Sequence, residues 1–496
     1  MAISKICGIE TEYGIAAFGE FEGNPVGASS LLVNVYATAQ YRSRTDWDFE
    51  DETPGSDARG FLRQGSMAPL VETHLVNAVL TNGARLYVDH AHPEYSSPEC
   101  SSALEAVVWD RAGEVIVTKA TELANEFLGP RGKIICYKNN SDRKGNSYGC
   151  HENYLMDRSV PFPKIIQELV PFFISRQIIA GAGKVGQENS GNSDVEFQIS
   201  QRADFFEEVV GLETTIKRPI INTRDEPHAH SDRYRRLHVI IGDANMSETS
   251  TFLKLGTTAF ALAMIEDSKS PKHDRTPKSP IEALRRVSQD PTLSYKIEMA
   301  DGSKLSALDL QEEWLSCAVE YFERYGGEAV GGDESASQII RSWERVLGGL
   351  RRDILTLSKE LDWVAKYALF SAYKDRHGLT WDSPKLAAMD LQFHDLREEK
   401  SLAKRVGFKS LVTSEQVLSA EKDPPLTTRA YFRGMCLKKW PEAIVSANWD
   451  SLLFDLGEES LQRVPMLDPL KGTEKMVGTL LKECNEPREL LDKLGA

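Results

Sequence analysis

The chain has 496 residues, 41% hydrophobic and 27% charged, and a formal net charge of −15. That length can bury a large core and leaves room for two or three domains. The acidic balance argues against a nucleic-acid partner, whose phosphates must be met by Lys and Arg, and nowhere do roughly 18 apolar residues run together as a membrane span requires.

The N-terminus, MAISKICGIETEYG, carries no long apolar run before its acidic residues and does not read as a signal peptide. Ile3 to Ile15 reads as a first strand, with Gly8 and Gly14 allowing a bend. Glu10 and Glu12 stand two positions apart, so they share one face of that strand. Like charges repeated on a sheet face are costly to bury, so that face is either solvated or covered by a cation.

From Val26 to about Ser66 the periodicity disappears and acidic and turn residues gather, among them Asp46, Asp48, Glu50, Asp57, Pro54 and Gly55. The expectation is a long acidic loop over about residues 38–75, and the composition leaves open a lid, a partner surface or disorder.

Asn82 to Cys100 is the stretch around which the rest is organised. Arg85-Leu86-Tyr87-Val88-Asp89 has strand composition and runs into Asp89, His90, His92, Glu94 and Glu99, all potential ligands or bases. Pro93 and Pro98 hold the carboxylates at set spacings.

Ala103 to Leu128 has apolar residues at helical spacing, and Gly129-Pro130-Arg131-Gly132 ends that helix. Lys133 to Lys138 and Ser147 to Leu155 read as strands. In the second, His151 and Asn153 face one way and Glu152 the other, and a hydrogen-bonded His-Glu couple is the alternative to a ligand role. Residues 181 to 186, GAGKVG, match G-x-G-x-x-G, but the polar segment after them is no helix, so the dinucleotide reading is rejected.

Phe197 to Arg202 and Leu237 to Ile241 read as further strands, the latter preceded by Arg235 and Arg236 and containing His238. Clustered arginines in an acidic chain suit phosphate or carboxylate recognition. Ser247 or Thr249 caps a helix that runs through Met264. Helices are expected over 281–287, 307–325, 334–348 and 353–373, and Asp423-Pro424-Pro425 marks the start of a small C-terminal domain, 425–496, after a large domain of 1–424. The seven cysteines are scattered without a C-x-x-C pair, which fits buried thiols in a reducing cytoplasm.

Strands bearing Glu10 and Glu12, then Tyr87, Asp89, Glu94 and Glu99, then His151, then His238 with Arg235 and Arg236 can lie side by side as one concave antiparallel sheet backed by helices, an α+β fold. Such a sheet suits divalent cations, Mg²⁺ above all, bridging nucleotide phosphates that arginines neutralise further.

Four blocks carry a resemblance: Gly8 to Gly14, Tyr87 to Tyr95, Gly149 to Tyr154 and Asn448 to Ser451. Together they resemble the Pup ligase and deamidase family, which is similar to glutamine synthetase and acts on the prokaryotic ubiquitin-like protein Pup. The 79 positions from Glu10 to Asp89 and the form Asp89-His90-Ala91-His92-Pro93-Glu94 resemble the deamidase and depupylase branch rather than the ligase branch, which remains the alternative.

The resemblance implies a glutamine synthetase-like domain, a cytoplasmic amidohydrolase, ATP and Mg²⁺ as bound cofactors with ATP not spent, Pup and pupylated proteins as partners, and a link to the bacterial proteasome. It implies Asp89 as the catalytic aspartate, acting either as attacking group or as base for a nucleotide-derived phosphate. It implies Glu10, Tyr87, Glu94, His151 and His238 as metal positions, and Arg85, Ser96, Ser97, Asn153 and Trp449 as ATP contacts. Arg236 joins the ATP contacts on charge and position. A basic, apolar groove for Pup leading to Asp89 is a further expectation.

Overall fold

The computed structural model describes residues 1–40, 45–50, 52–61, 76–188 and 195–495. Its centre is a six-stranded antiparallel sheet in the spatial order Tyr234–Val239, Cys150–Asp157, Cys7–Glu12, His92–Ser96, Arg85–Asp89 and Asn77–Val79. All four stretches expected to share a sheet are in it. Alternation along each strand divides the side chains: Ile9 and Thr11 are buried beneath, while Glu10 and Glu12 turn to the opposite face.

Helices cover the back. Ala103–Leu128 lies against Cys7–Glu12 and His92–Ser96, Glu248–Glu266 against Cys150–Asp157, and Pro25–Gln40 against both Arg85–Asp89 and His92–Ser96. The first of these has the bounds its periodicity predicts, and the second is capped by the Ser247 side chain, which accepts from the Ser250 N–H. Beneath the sheet Glu152 pairs with Arg176 of the helix Phe162–Ala180 at 2.6 and 2.8 Å, so its partner is that arginine and not His151. Sequence periodicity does not reveal this helix: Leu169 to Ala180 are all buried, Pro171 among them, and only the first turns bring polar residues to the surface, at Lys164, Gln167 and Glu168.

The structure corrects several sequence expectations. The first strand is two: Cys7–Glu12 in the large sheet, then Gly14–Gly19 paired with Gly132–Tyr137. The break is built around Gly14, where a β-carbon would stand 2.4 Å from the Asn139 and Tyr148 oxygens. The aperiodic stretch from Val26 opens as a helix, Pro25–Gln40, which buries Ala28, Leu32, Val33 and Tyr36; packing overrides the weak helix propensity of its Gly, Val and Thr residues.

The acidic segment that follows is anchored where it is described. Asp46–Trp47 runs parallel to Ile444–Ala447 as a strand of the C-terminal sheet, and the Thr223 hydroxyl donates to Asp57 at 2.7 Å. Residues 41–44, 51 and 62–75 of the expected loop lie outside the described residues.

The strand expected over 197–202 is only Phe197–Gln198, and an unexpected parallel pair, Phe206–Gly211 with Arg218–Asn222, follows it. The helix expected over 353–373 begins as a 3₁₀ turn, Ile354–Leu357, and restarts at Asp362–His377. Asp362 opens the second piece, and its buried carboxylate accepts the backbone N–H groups of Met246 and Ser247.

The C-terminal residues form the strands Ile444–Ala447, Ser451–Phe454 and Gln462–Pro465 with the helices Ala430–Lys439, Glu474–Glu483 and Pro487–Leu494. Their core also takes in Trp47 and Val79, so it is shared with distant parts of the chain. All seven cysteines are free thiols and six are buried. Among the described residues no helix is long and apolar enough to cross a membrane.

Candidate active site

Antiparallel register assembles the site on the open face of the sheet. Glu10 pairs across with His151 on one side and Ser96 on the other, Glu12 with Glu94, Tyr87 with Glu94, and His238 with Asn153. Two groups of ligand atoms result, each within 4.8 Å of one another: Glu10, His151 and His238, and Glu12, Asp89 and Glu94.

In the first group Asn153 is the organiser. Its Nδ2 donates to Glu10 Oε1 at 2.8 Å, and its Oδ1 accepts from Arg236 Nη1 at 2.6 Å and stands 3.0 Å from His238 Nδ1. An amide oxygen only accepts, so this contact favours a proton on His238 Nδ1 with the Nε2 lone pair free, as a metal-ligating imidazole needs, while Arg236 Nη1 also lies 3.3 Å from Nδ1. Burial pushes the His238 value well down against the charge of Glu10. Burial pushes Glu10 up, but the pairing with His151 at 3.7 Å and the charges of His238 and Arg236 outweigh it and hold Glu10 well below its ordinary value.

In the second group the balance splits. Burial raises Glu12, yet His92 at 3.4 Å, the charge of His151 and the Gly149 N–H at 2.7 Å bring it down to about 2. Glu94 has no such help: burial and the charges of Asp89, Glu12 and Glu10 push it well above its ordinary value. A crowd of carboxylates with one forced up is negative charge that a cation would neutralise. Tyr87, pushed well up by burial and by Glu94 and Glu10, keeps its phenol proton, and Ser96 Oγ donates to it at 3.4 Å.

Beside the first group lies a cleft lined by Ser96, Ser97, Asn153, Arg236 and Trp449, all expected, and by Gly8, Glu99, His228 and Arg429, which were not assigned to it. Arg85 is not part of this lining. Its guanidinium sits 4.0 Å from the Trp47 ring centroid and 3.9 Å from that of Tyr87, with Nε donating to Asn77 at 2.7 Å. Glu99, grouped by sequence with the ligands, instead clasps Arg429 at 2.6 Å and Arg433 at 2.5 Å, and those two charges, against burial, lower it to about 2.

Three further residues belong to the site. Glu12 joins the carboxylate group; its signal in the sequence was the two-residue spacing from Glu10. Arg202 and Arg218 lie close enough for the charge of Glu12 to act on both, and burial with the neighbouring Arg202 lowers Arg218 to about 10. Arg202 lies past the end of Phe197–Gln198, in residues expected to be strand, and Arg218 opens the strand Arg218–Asn222, which the sequence did not reveal.

Comparison with known proteins agrees with this geometry. The profile of the Pup-ligase protein family matches residues 5–453. A depupylase of Acidothermus cellulolyticus is 50% identical over 504 residues, covering 99% of each chain. A Pup deamidase/depupylase of Mycobacterium tuberculosis is 47% identical over 509 residues, covering 100% of this chain and 99% of that one. Among solved structures, the complex of Pup with its ligase PafA is 32% identical with a TM-score of 0.81, covering 99% of this chain and 94% of the other. PafA in complex with ADP is 34% identical with a TM-score of 0.74, covering 85% and 96%. A profile that matches residues 5–453 and relatives 47% and 50% identical along the whole chain show that this chain belongs to the Pup-ligase protein family.

Proposed function

We propose that this chain hydrolyses the terminal glutamine side-chain amide of Pup to glutamate and cleaves the isopeptide bond between Pup and substrate lysines, with ATP and Mg²⁺ bound in the cleft and on the sheet face. The observation that carries this reading is the place of Asp89. Its carboxylate stands at a half-exposed strand end, within 4.8 Å of Glu12 and Glu94, where a polypeptide amide can reach it.

The donor set fits the cation. Glu12 and Glu94, with Asp89 beside them, offer the hard oxygens that Mg²⁺ takes, and Glu10, His151 and His238 offer a carboxylate and two imidazoles for a second ion. When bound, such ions neutralise phosphate and polarise a carbonyl. Tyr87 would enter this shell as a neutral hydroxyl. Ser96, Ser97, Asn153, Arg236 and Trp449 would hold the nucleotide, and Arg85 would act from behind, fixing the Tyr87 and Trp47 rings.

In the reaction Asp89 acts at the amide carbon, as attacking group or as base. Arg202 and Arg218 place positive charge where the tetrahedral oxyanion develops. The C–N bond breaks, the nitrogen leaves with a proton as ammonia or as the lysine amine, and water supplies the oxygen of the new carboxylate. Water is the co-reactant, so no phosphoryl group need be consumed.

The second reading, an ATP-dependent Pup ligase, draws on the solved PafA structures, which are 32% and 34% identical. The relatives named for hydrolysis are more similar, at 47% and 50%, and favour the first. Incubation with ATP, Mg²⁺ and Pup ending in glutamine decides between them: ammonia release without ADP supports hydrolysis. Conjugates and ADP formed from glutamate-ended Pup would replace it with ligation.

A further inference from the structure

Of the two imidazoles in the His90–Glu94 run, that of His92 faces Glu12 at 3.4 Å and that of His90 faces Asp89. His90 occupies the first position of the two-residue turn between Arg85–Asp89 and His92–Ser96, since Asp89 pairs with His92. Its φ is +51°, a conformation hairpins usually give to glycine or asparagine, because a β-carbon there costs about 1 kcal/mol. The turn is fixed from below, where the buried Ser29 hydroxyl donates to Ala91 O at 2.8 Å. The backbone therefore gains nothing from histidine, and packing gains little, since the His90 side chain is 63% exposed.

What the imidazole does make is a bond of 2.9 Å from Nδ1 to Asp89 Oδ2. Asp89 needs such a restraint: it ends its strand with a side chain 39% exposed, and packing alone does not fix its rotamer. The Nδ1–H tautomer and the imidazolium both donate, so the hold does not depend on charge.

We propose that His90 is a positioning residue that clamps one oxygen of Asp89 and so presents the other to the amide carbon of the substrate. The inference rests on the hydrolase reading above. A misplaced carboxylate still lets substrate and nucleotide bind but reduces the fraction of bound substrate in attacking geometry.

Two variants at this turn test it. His90→Gly keeps the positive φ and removes the donor; His90→Asn tolerates the same φ and returns an N–H near the Nδ1 position. With glutamine-ended Pup, His90→Gly should lose about tenfold in kcat or more, with KM and nucleotide affinity within about twofold of the parent, and His90→Asn should recover most of the loss. The inference is overturned if His90→Gly keeps the parental kcat, if His90→Asn is as slow as His90→Gly, or if the loss falls on KM, nucleotide affinity or melting temperature. Failure of the parent protein itself to release ammonia would instead sink the hydrolase reading, so the two failures are told apart.

Discussion

Glu12 and Glu94 are direct partners on adjacent antiparallel strands, two acidic residues facing each other across a largely buried register position. Like charges so placed destabilise a sheet, and here burial and the neighbouring carboxylates force Glu94 well above its ordinary value while Glu12 falls to about 2. On the proposed reading, a cation on this face offsets the repulsion.

Millimolar Mg²⁺ should therefore raise the melting temperature of the metal-free protein by several degrees, and a chelator should reverse it. Glu94→Gln removes the repulsion and a ligand together. It should melt no lower than the parent without metal and respond little to Mg²⁺. Thermal scans with and without metal check this, and an undiminished Mg²⁺ shift in Glu94→Gln would remove Glu94 from the ligand set.

Asn153→Ala should leave His238 free to take either tautomer and Arg236 without its 2.6 Å partner. Loss of such an orienting group lowers metal affinity about tenfold or more. Titration with Mn²⁺ followed by electron paramagnetic resonance measures the change directly.

Asp89→Asn should abolish ammonia release, with kcat falling at least about a thousandfold. Nucleotide affinity should stay within about twofold, because Asp89 is not part of the cleft lining. Isothermal titration with ATP beside the ammonia assay separates the two effects.

Glu99 joins the sheet to the C-terminal helix Ala430–Lys439 and its flank through Arg429 and Arg433, and Arg433 in turn donates to Trp449 O at 2.9 Å. Glu99→Gln leaves buried arginines underpaired and should destabilise the protein by about 3 kcal/mol, read from denaturant unfolding, while weakening nucleotide binding. Because the folded value of Glu99 lies at about 2, below the unfolded value of about 4.3, its stabilisation is present above the latter and is lost as pH falls through the former. Acid unfolding between those values should be less steep in the variant.

Trp47→Ala should cost about 3 kcal/mol. The indole is 6% exposed, lies 4.0 Å from the Arg85 guanidinium and sits edge-on to Trp449 at 5.2 Å. Its removal should also loosen the strand Asp46–Trp47, measured as faster proteolytic cleavage near residues 46–50 with the rest of the chain protected.

The sequence by itself determined the chemistry and its alternation. Period-two spacing put Glu10 with Glu12 and His151 with Asn153, and apolar spacing with a Gly-Pro stop bounded the helix Ala103–Leu128. Those signals are local, since a strand or helix of fixed type orients every side chain along it. What the sequence left undecided is what depends on distant partners. Which carboxylate is forced up and which down follows from cross-strand register. Whether Glu99 is a ligand or a clasp depends on arginines 330 and 334 residues away, and whether residues 46–47 belong to a loop or to a sheet depends on a strand nearly 400 residues later. The second half of the helix Phe162–Ala180 hid for the same reason: Leu169 to Ala180 are all buried and have no solvent face to print a period, and only tertiary packing gives them a shape.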